Sequence, residues 1–432
     1  LEPVPYFKDG QNLRGMGPDA AWTQDVLQKT ASGAVYSGTI LEHILLETLC
    51  AVHETGAHGH IRLRGADWND ALDMAAEHGE SVAFTCAYAG NLEELAGLLR
   101  VLAERGHREV ELLEELELLL EKENRLPDFL RLCAHSVRGS KSRFDTLALA
   151  DTLQAMAERL RTHIRETEWI AGENEGWFNS YYDNHQNRVE GYFPGGVRMM
   201  LTGQVFAVMS GTATPAQTSL ICRAADRYLY RKEVGGYRLN TDFHEEKFDL
   251  GRMFGFAYGE KENGAVFSHM SVMYANALYR RGFVREGSQA LQSLAETAMD
   301  FETSRIYPGI PEYFNADGRG LYHYLTGAAS WYILTFITQV FGVRGELGGL
   351  VIEPKLVREQ FDGEGTAQIS LHFAGKAYEI TLQNPQRLDY GAYKIVSVSC
   401  NGKPLRADSA RVRVPAQDAA ENRILLTLGE RI

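Results

Sequence analysis

Positive charge is in short supply in this sequence. Lys and Arg number 44 against 57 Asp and Glu, a formal net charge of -13. With no basic block, such a chain is a poor match for nucleic acid or an anionic membrane surface. It suits a neutral ligand, and an anionic co-substrate would need local Arg, His or backbone donors. No run of about 18 apolar residues occurs, so no membrane span is expected. No basic stretch leads into an apolar one with a cleavage site, so no signal peptide is expected in these residues. Five cysteines, Cys50, Cys86, Cys133, Cys222 and Cys400, are too scattered for a disulfide framework and read as reduced thiols of a cytoplasmic protein. Zinc-ligand spacing, a P-loop and a dinucleotide-binding glycine pattern are all missing; His58 and His60 have no further ligand nearby in sequence. Neither a metal nor a cofactor is expected. Without a repeat of about 20–50 residues, a solenoid is excluded too.

What is present is ample apolar material, 44% of 432 residues, enough for a large core in one or two domains. Residues 1–32 carry Pro3, Pro5, Pro18 and several glycines and read as loop. Helical periodicity follows at 36–52, 80–105 (with a break near Gly90-Asn91), 107–122, 127–136, 147–170, 197–209, 215–232, 265–281, 287–303 and 328–341. Between the helices lie Gly- and aromatic-rich stretches at 56–69, 172–196, 234–264 and 304–327, with no clear strands. A ring of helical hairpins, its site built from loops at one rim, has this texture. After Pro354 the pattern changes to polar–apolar alternation at 367–383, 393–400, 410–414 and 423–428. Asn401-Gly402 is a hairpin signal. The expected organisation is a helical domain over 1–355 and a small β-sandwich-like domain over 356–432.

The sharpest segment for chemistry is Arg64-Gly65-Ala66-Asp67-Trp68-Asn69-Asp70. Trp68 offers a flat apolar face to a sugar, Asn69 a donor and an acceptor. A carboxylate beside an indole can have its pKa raised and serve as a general acid; Asp67 and Asp70 are both candidates, and packing of Trp68 in a polar loop is the plain alternative. His269 follows Glu262-Asn263-Gly264 at the start of an apolar helix, where backbone N–H groups suit an anion. Thr326-Gly327 precedes another apolar helix, as an anion site or as an ordinary cap. Two aromatic loops, Tyr307 to Tyr313 with Glu312, and Trp177 to Asp183, fit sugar stacking or packing equally well.

Taken in order, GADWNDALD (65–73), GWFNSYYD (176–183), KENGAVFSH (261–269), PEYF (311–314), YLTGAASWY (324–332), GLVIEPKL (349–356) and FAGKAYEITLQNP (373–385) resemble glycoside hydrolase family 94, the inverting phosphorylases of cellobiose, chitobiose and 1,2-β-oligoglucans. The resemblance implies a mainly α fold, an (α/α)6 barrel followed by a small C-terminal β domain. It implies that Asp70, not Asp67, is the general acid, and that His269, Thr326 and Gly327 hold inorganic phosphate, the co-substrate. Trp68, with Asp67, Glu312, Tyr313 and Trp177, is then expected on the sugar. The implied reaction converts a β-glucoside and phosphate to α-glucose 1-phosphate and a shortened acceptor. GIPEYFNADGRGLYHYLTG and GGYRLNTDFHE look more like the 1,2-β-oligoglucan enzymes than the cellobiose-type ones that cut β-1,4 or β-1,3 links. An inverting hydrolase would need a second carboxylate, about 6.5–9.5 Å from the first, to activate water. A non-enzymatic carbohydrate-binding subunit is the remaining alternative.

One departure from the family is large. Its upstream Arg-Asp motif has no match in residues 1–60, the N-terminal β-sandwich has no room, and the helical patterns fall short of a closed ring. The first residue is Leu1. The expectation is therefore that only part of the barrel is in this chain. A second polypeptide or upstream fragment would complete it, and a higher oligomer could form.

Overall fold

A computed structural model describes residues 3–5, 27–121, 124–307, 309–323 and 326–431. The expected loop over 1–32 lies mostly outside the described residues; within them, Pro3–Pro5 pairs as a short strand with Ser37–Thr39.

The chain is a largely helical core followed by a smaller β-rich region. Helix Val82–Glu104 begins where the Ser81 hydroxyl accepts from Phe84 N at 2.9 Å, satisfying one of the first-turn donors. The break expected near Gly90 does not occur. Gly90 instead lets the helix approach the end of helix Leu201–Met209: a Cβ there would stand 3.1 Å from Ser210 Cβ. Helix Thr146–Thr167, capped by Asp145, packs along Val82–Glu104. The C-terminal half of Val82–Glu104 and the N-terminal half of Thr146–Thr167 share a cluster with helix Ile40–His53, whereas their other ends join the main core.

Further along, helices alternate in burial. Leu201–Met209 is buried from Leu201 to Val208, and Ser268–Arg280 is buried along nearly all its length. Pro215–Tyr228, started by a Thr214–Gln217 capping box, and Val284–Met299 bury one stripe each. All-round apolar helices belong inside and amphipathic ones outside. An inner helix thus leads out to an outer one twice in succession.

Two expectations are corrected. The Leu- and Glu-rich run at 107–122 is not one helix. Glu109–Leu113 is a strand paired with Lys141–Asp145, because Val110 and Leu112 face in and Glu109 and Glu111 face out, a period of two. Nor are the aromatic stretches strandless. Trp169–Ala171 pairs with Gly176–Phe178, and Tyr313–Phe314 lies between Val266–Phe267 and Gly320–Leu321.

The β-rich region holds a five-stranded sheet in the order Thr366–Phe373, Lys376–Gln383, Glu421–Glu430, Tyr393–Cys400, Lys403–Pro404. The second and third of these run parallel. Asn401 and Gly402 both take positive φ in the final hairpin, as its two-residue turn requires. A three-stranded sheet joins Val343–Glu346 and Gly349–Ile352 to Val412–Val414, so β structure begins ahead of residue 356. Among the described residues no helix is long and apolar enough to cross a membrane, and no cluster of His, Cys, Asp and Glu is placed to hold a metal ion.

Candidate active site

The segment carrying the acid candidates leaves strand Ile61–Arg62, which pairs with Glu80–Ser81 and through it with Tyr181–Tyr182. This small sheet is why Asp67 is held. Its carboxylate accepts from Asn69 N at 3.0 Å, Ser81 Oγ at 2.8 Å and Tyr181 Oη at 3.2 Å. Burial raises the Asp67 pKa, and those hydrogen bonds work against the rise. Asn69 turns inward as well: it is 1% exposed and its Oδ1 accepts from Ala71 N. Asp70 faces the other way, with 81% of its side chain exposed and Arg252 Nη2 3.6 Å from its Oδ1. The two carboxylates are thus sorted, one internal to the loop and one free to meet a ligand.

Trp68 sets the loop against the start of helix Ser268–Arg280. Its indole meets Phe267 edge to face at 5.6 Å and His269 at 5.5 Å. The His269 ring has Trp331 on another side at 5.6 Å and lies against the first turn of helix Gly327–Thr335. The His269 Nε2 is buried with no hydrogen-bond partner among the described residues. Burial lowers the His269 pKa, which favours the neutral imidazole. Thr326 caps the Gly327–Thr335 helix, its Oγ accepting from Ala328 N at 3.3 Å.

The Glu312 loop is tied in through its backbone. Ser268 N donates to Glu312 O at 2.8 Å, and the Tyr313 ring lies nearly parallel to Phe267 at 6.1 Å. Burial raises the Glu312 pKa, and the charges of Glu262 and Asp70 add to the rise. Asp70, Trp68, His269, Thr326, Gly327, Glu312 and Tyr313 therefore occupy one region, with Asp67 beneath it.

Trp177 is not part of this group, which corrects the expectation for it. It is 0% exposed, in strand Gly176–Phe178, with Tyr192 and Tyr228 edge-on to its ring. Nothing of the indole is left for a sugar to stack on. Arg252 joins this region with no signal in the sequence. No spacing pattern marks it, because its partners are about 180 residues upstream.

Residues 125–342 match the family model described as "Glycosyl hydrolase 94 superfamily, catalytic domain". The GADWNDALD segment lies outside that interval. The chain is 23% identical over 377 residues to 3-O-beta-D-glucopyranosyl-beta-D-glucuronide phosphorylase of Paenibacillus borealis, covering 84% of this chain and 42% of that protein. It is 22% identical over 420 residues to N,N'-diacetylchitobiose phosphorylase of Vibrio furnissii, covering 95% and 45%. It is 23% identical over 372 residues to cyclic beta-(1,2)-glucan synthase NdvB of Rhizobium meliloti strain 1021, covering 83% and 11%. The chain spans less than half the length of each of these relatives.

Proposed function

The chain belongs to the glycosyl hydrolase 94 superfamily, whose model matches half of its length, and from that premise we propose that it carries the catalytic part of an inverting glycoside phosphorylase. The observation that carries the reading is the buried Nε2 of His269, unpartnered among the described residues, beside the first turn of the Gly327 helix and against Trp68, two residues from Asp70. A buried ring nitrogen without a partner is costly unless a ligand supplies one. The N–H of a first-turn residue such as Gly327 has no acceptor within its own helix and suits an anion. Thr326 Oγ accepts the cap bond and still has its own proton to donate. A neutral His269 donates through Nε2 without needing to be charged.

In this mechanism Asp70 gives its proton to the glycosidic oxygen as that oxygen's bond to the anomeric carbon breaks. A phosphate oxygen, held by His269, Thr326 and Gly327, attacks the same carbon from the opposite face. The products are α-glucose 1-phosphate and the shortened acceptor, with Asp70 left as carboxylate. Phosphate is itself the anionic nucleophile, so no second carboxylate is required to make one from water. Trp68 and Glu312 line the sugar side, Tyr313 packs behind them against Phe267, and Asp67 holds the loop. The substrate is a 1,2-β-oligoglucan, a reading that rests on the loops 235–245 and 309–327. Formation of α-glucose 1-phosphate only when phosphate is supplied supports the reaction; glucose release at the same rate without phosphate overturns it. With α-glucose 1-phosphate as donor, acceptors offering a 1,2 link should be extended best, and preference for a 1,4 link sinks the assignment.

The alternation of buried and one-sided helices supports an (α/α)6 barrel, of which this chain supplies a part. Helix Gly327–Thr335 reads GAASWYILT, apolar on every side, yet Ile333 is 61% and Leu334 45% exposed. Such a face is stabilised by cover, at about 25 cal/mol per Å² buried. In this reading a second polypeptide or a further segment covers it and supplies the family's upstream Arg-Asp motif. Sedimentation of the isolated chain tests this: self-association that Ile333→Glu abolishes is expected, and a monomer with phosphorolytic activity overturns it.

A further inference from the structure

The segment Leu250–Met253 is laced to the residues that follow Asp70. Met253 N donates to Ala71 O at 3.1 Å, and Met74 N donates to Leu250 O at 3.2 Å. At Gly251 the two chains run so close that a Cβ would stand 2.1 Å from Ala71 O, so only glycine fits. This brings Arg252 under the loop. Its backbone N donates to Asp73 Oδ1 at 3.2 Å, and its Nη1 donates both to Asp73 Oδ2 and, at 2.8 Å, to the Asp70 carbonyl. Its Nη2 stands 3.6 Å from Asp70 Oδ1, outside hydrogen-bond reach. The guanidinium thus grips the main chain of Asp70 and braces it against Asp73, while leaving the Asp70 carboxyl unbonded and exposed.

We propose that Arg252 is the positioning residue of the general acid: its Nη1 ties the Asp70 carbonyl to the Asp73 carboxylate, and so aims the Asp70 carboxyl. This rests on the phosphorylase reading, and it gives Arg252 a second consequence. When Asp70 has given up its proton, a carboxylate stands where the acid was, with a cation already beside it. Preorganised charge of this kind stabilises what develops in the transition state. In the synthetic direction the same cation faces the carboxylate that must act as base. Lysine cannot replace it in full, because an ammonium at the place of Nη1 leaves no second nitrogen beside the Asp70 carboxyl.

The test separates proton donation from binding by the choice of leaving group. An unactivated β-glucoside needs Asp70 to protonate the departing oxygen. A β-glucosyl fluoride does not, because fluoride departs without a proton. In the intact enzyme as purified, Arg252→Ala should lower kcat on the unactivated disaccharide by about 10²-fold, the scale of a roughly 1 Å misplacement. Its KM for phosphate and its turnover of β-glucosyl fluoride with phosphate should change little. Arg252→Lys should recover part of the loss, and thermal unfolding of both variants reports whether they fold. Equal losses on both donors, or full activity of folded Arg252→Ala on the disaccharide, overturn the proposal. Asp70→Asn run in parallel isolates the underlying reading. If it fails to discriminate between the two donors, Asp70 is not the acid and the role of Arg252 falls with it. If it discriminates and Arg252→Ala does not, only the Arg252 proposal falls.

Discussion

The His269 imidazole lies so close to the backbone of Gly327 that a Cβ on residue 327 would stand 3.1 Å from both its Cε1 and its Nδ1. Residues 58 positions apart are thereby locked into one surface, with the ring's Nε2, unpartnered among the described residues, beside a helix start. Gly327→Ala should therefore push the ring aside without disturbing the helix, since alanine is a better helix former than glycine. The expected outcome is a phosphate KM raised by about tenfold or more, of the order that a small misplacement costs, with the glucan KM little changed. Initial-rate kinetics with each substrate varied in turn checks it. Unchanged kinetics would mean that phosphate sits elsewhere.

The different settings of Asp67 and Asp70 predict different failures. Asp70→Asn should lose about 10²–10⁴-fold in kcat on an unactivated disaccharide, the usual worth of a general acid, and should keep its melting temperature because the side chain is exposed. Asp67→Asn removes an acceptor from Ser81 Oγ or from the buried Tyr181 hydroxyl, so it should lower stability by about 1–3 kcal/mol and affect kcat less. Thermal unfolding together with steady-state kinetics distinguishes them. A larger kcat loss in Asp67→Asn, with both KM values unchanged, would reverse the two roles.

Much of this site was legible because its parts are short segments in which chain neighbours share one job: Asp67 to Asp70, Glu262 to His269, Thr326-Gly327. What was not legible is which face each side chain takes. Asp67 and Asp70 differ by three positions, and nothing in their spacing says that Ser81 and Tyr181 claim the first. Arg252 escaped for the same reason, its role being set by Asp70 and Asp73 across a loop contact. In the fold, strong periodicity located the long helices. The Glu109–Leu113 strand was hidden in a Leu/Glu run that serves both periods, and Gly90 was misread as a breaker when it is a close-packing position.

Trp177, like Tyr313, is an expected site residue that the structure moves into the core, and it offers a direct check. If it only packs against Tyr192 and Tyr228, Trp177→Ala should cost about 3–5 kcal/mol of stability, and whatever folds should bind substrate with an unaltered KM. Trp177→Phe should be milder on stability and silent in kinetics. Denaturant titration and a KM measurement decide it. A raised glucan KM in the folded Phe variant would return Trp177 to the sugar site.

Away from the candidate site, the buried acid Glu168 makes stability depend on pH. Burial pushes the Glu168 carboxyl up, but hydrogen bonding and charge from His60, the amide of Asn179 and the Arg188 guanidinium outweigh it and bring it down to about 2. The His60 Nε2 to Glu168 Oε1 distance is 3.0 Å, both side chains are 1% exposed or less, and the Tyr182 hydroxyl donates at 2.9 Å. A carboxyl whose pKa is lower in the folded than in the unfolded state binds fewer protons when folded. Its stabilisation is therefore complete above the unfolded value and is lost as pH falls toward the folded one. The window runs from about 4.5 down to about 2, and the contribution is on the order of 3 kcal/mol. Glu168→Gln keeps the shape and removes the charge. It should be markedly less stable than the parent at pH 7, and the gap should narrow as pH falls through that window. Urea unfolding of both proteins at a series of pH values measures the gap. A difference that stays constant from pH 7 to pH 3 would show that Glu168 acts through packing and hydrogen bonds alone, with no gain from its charge.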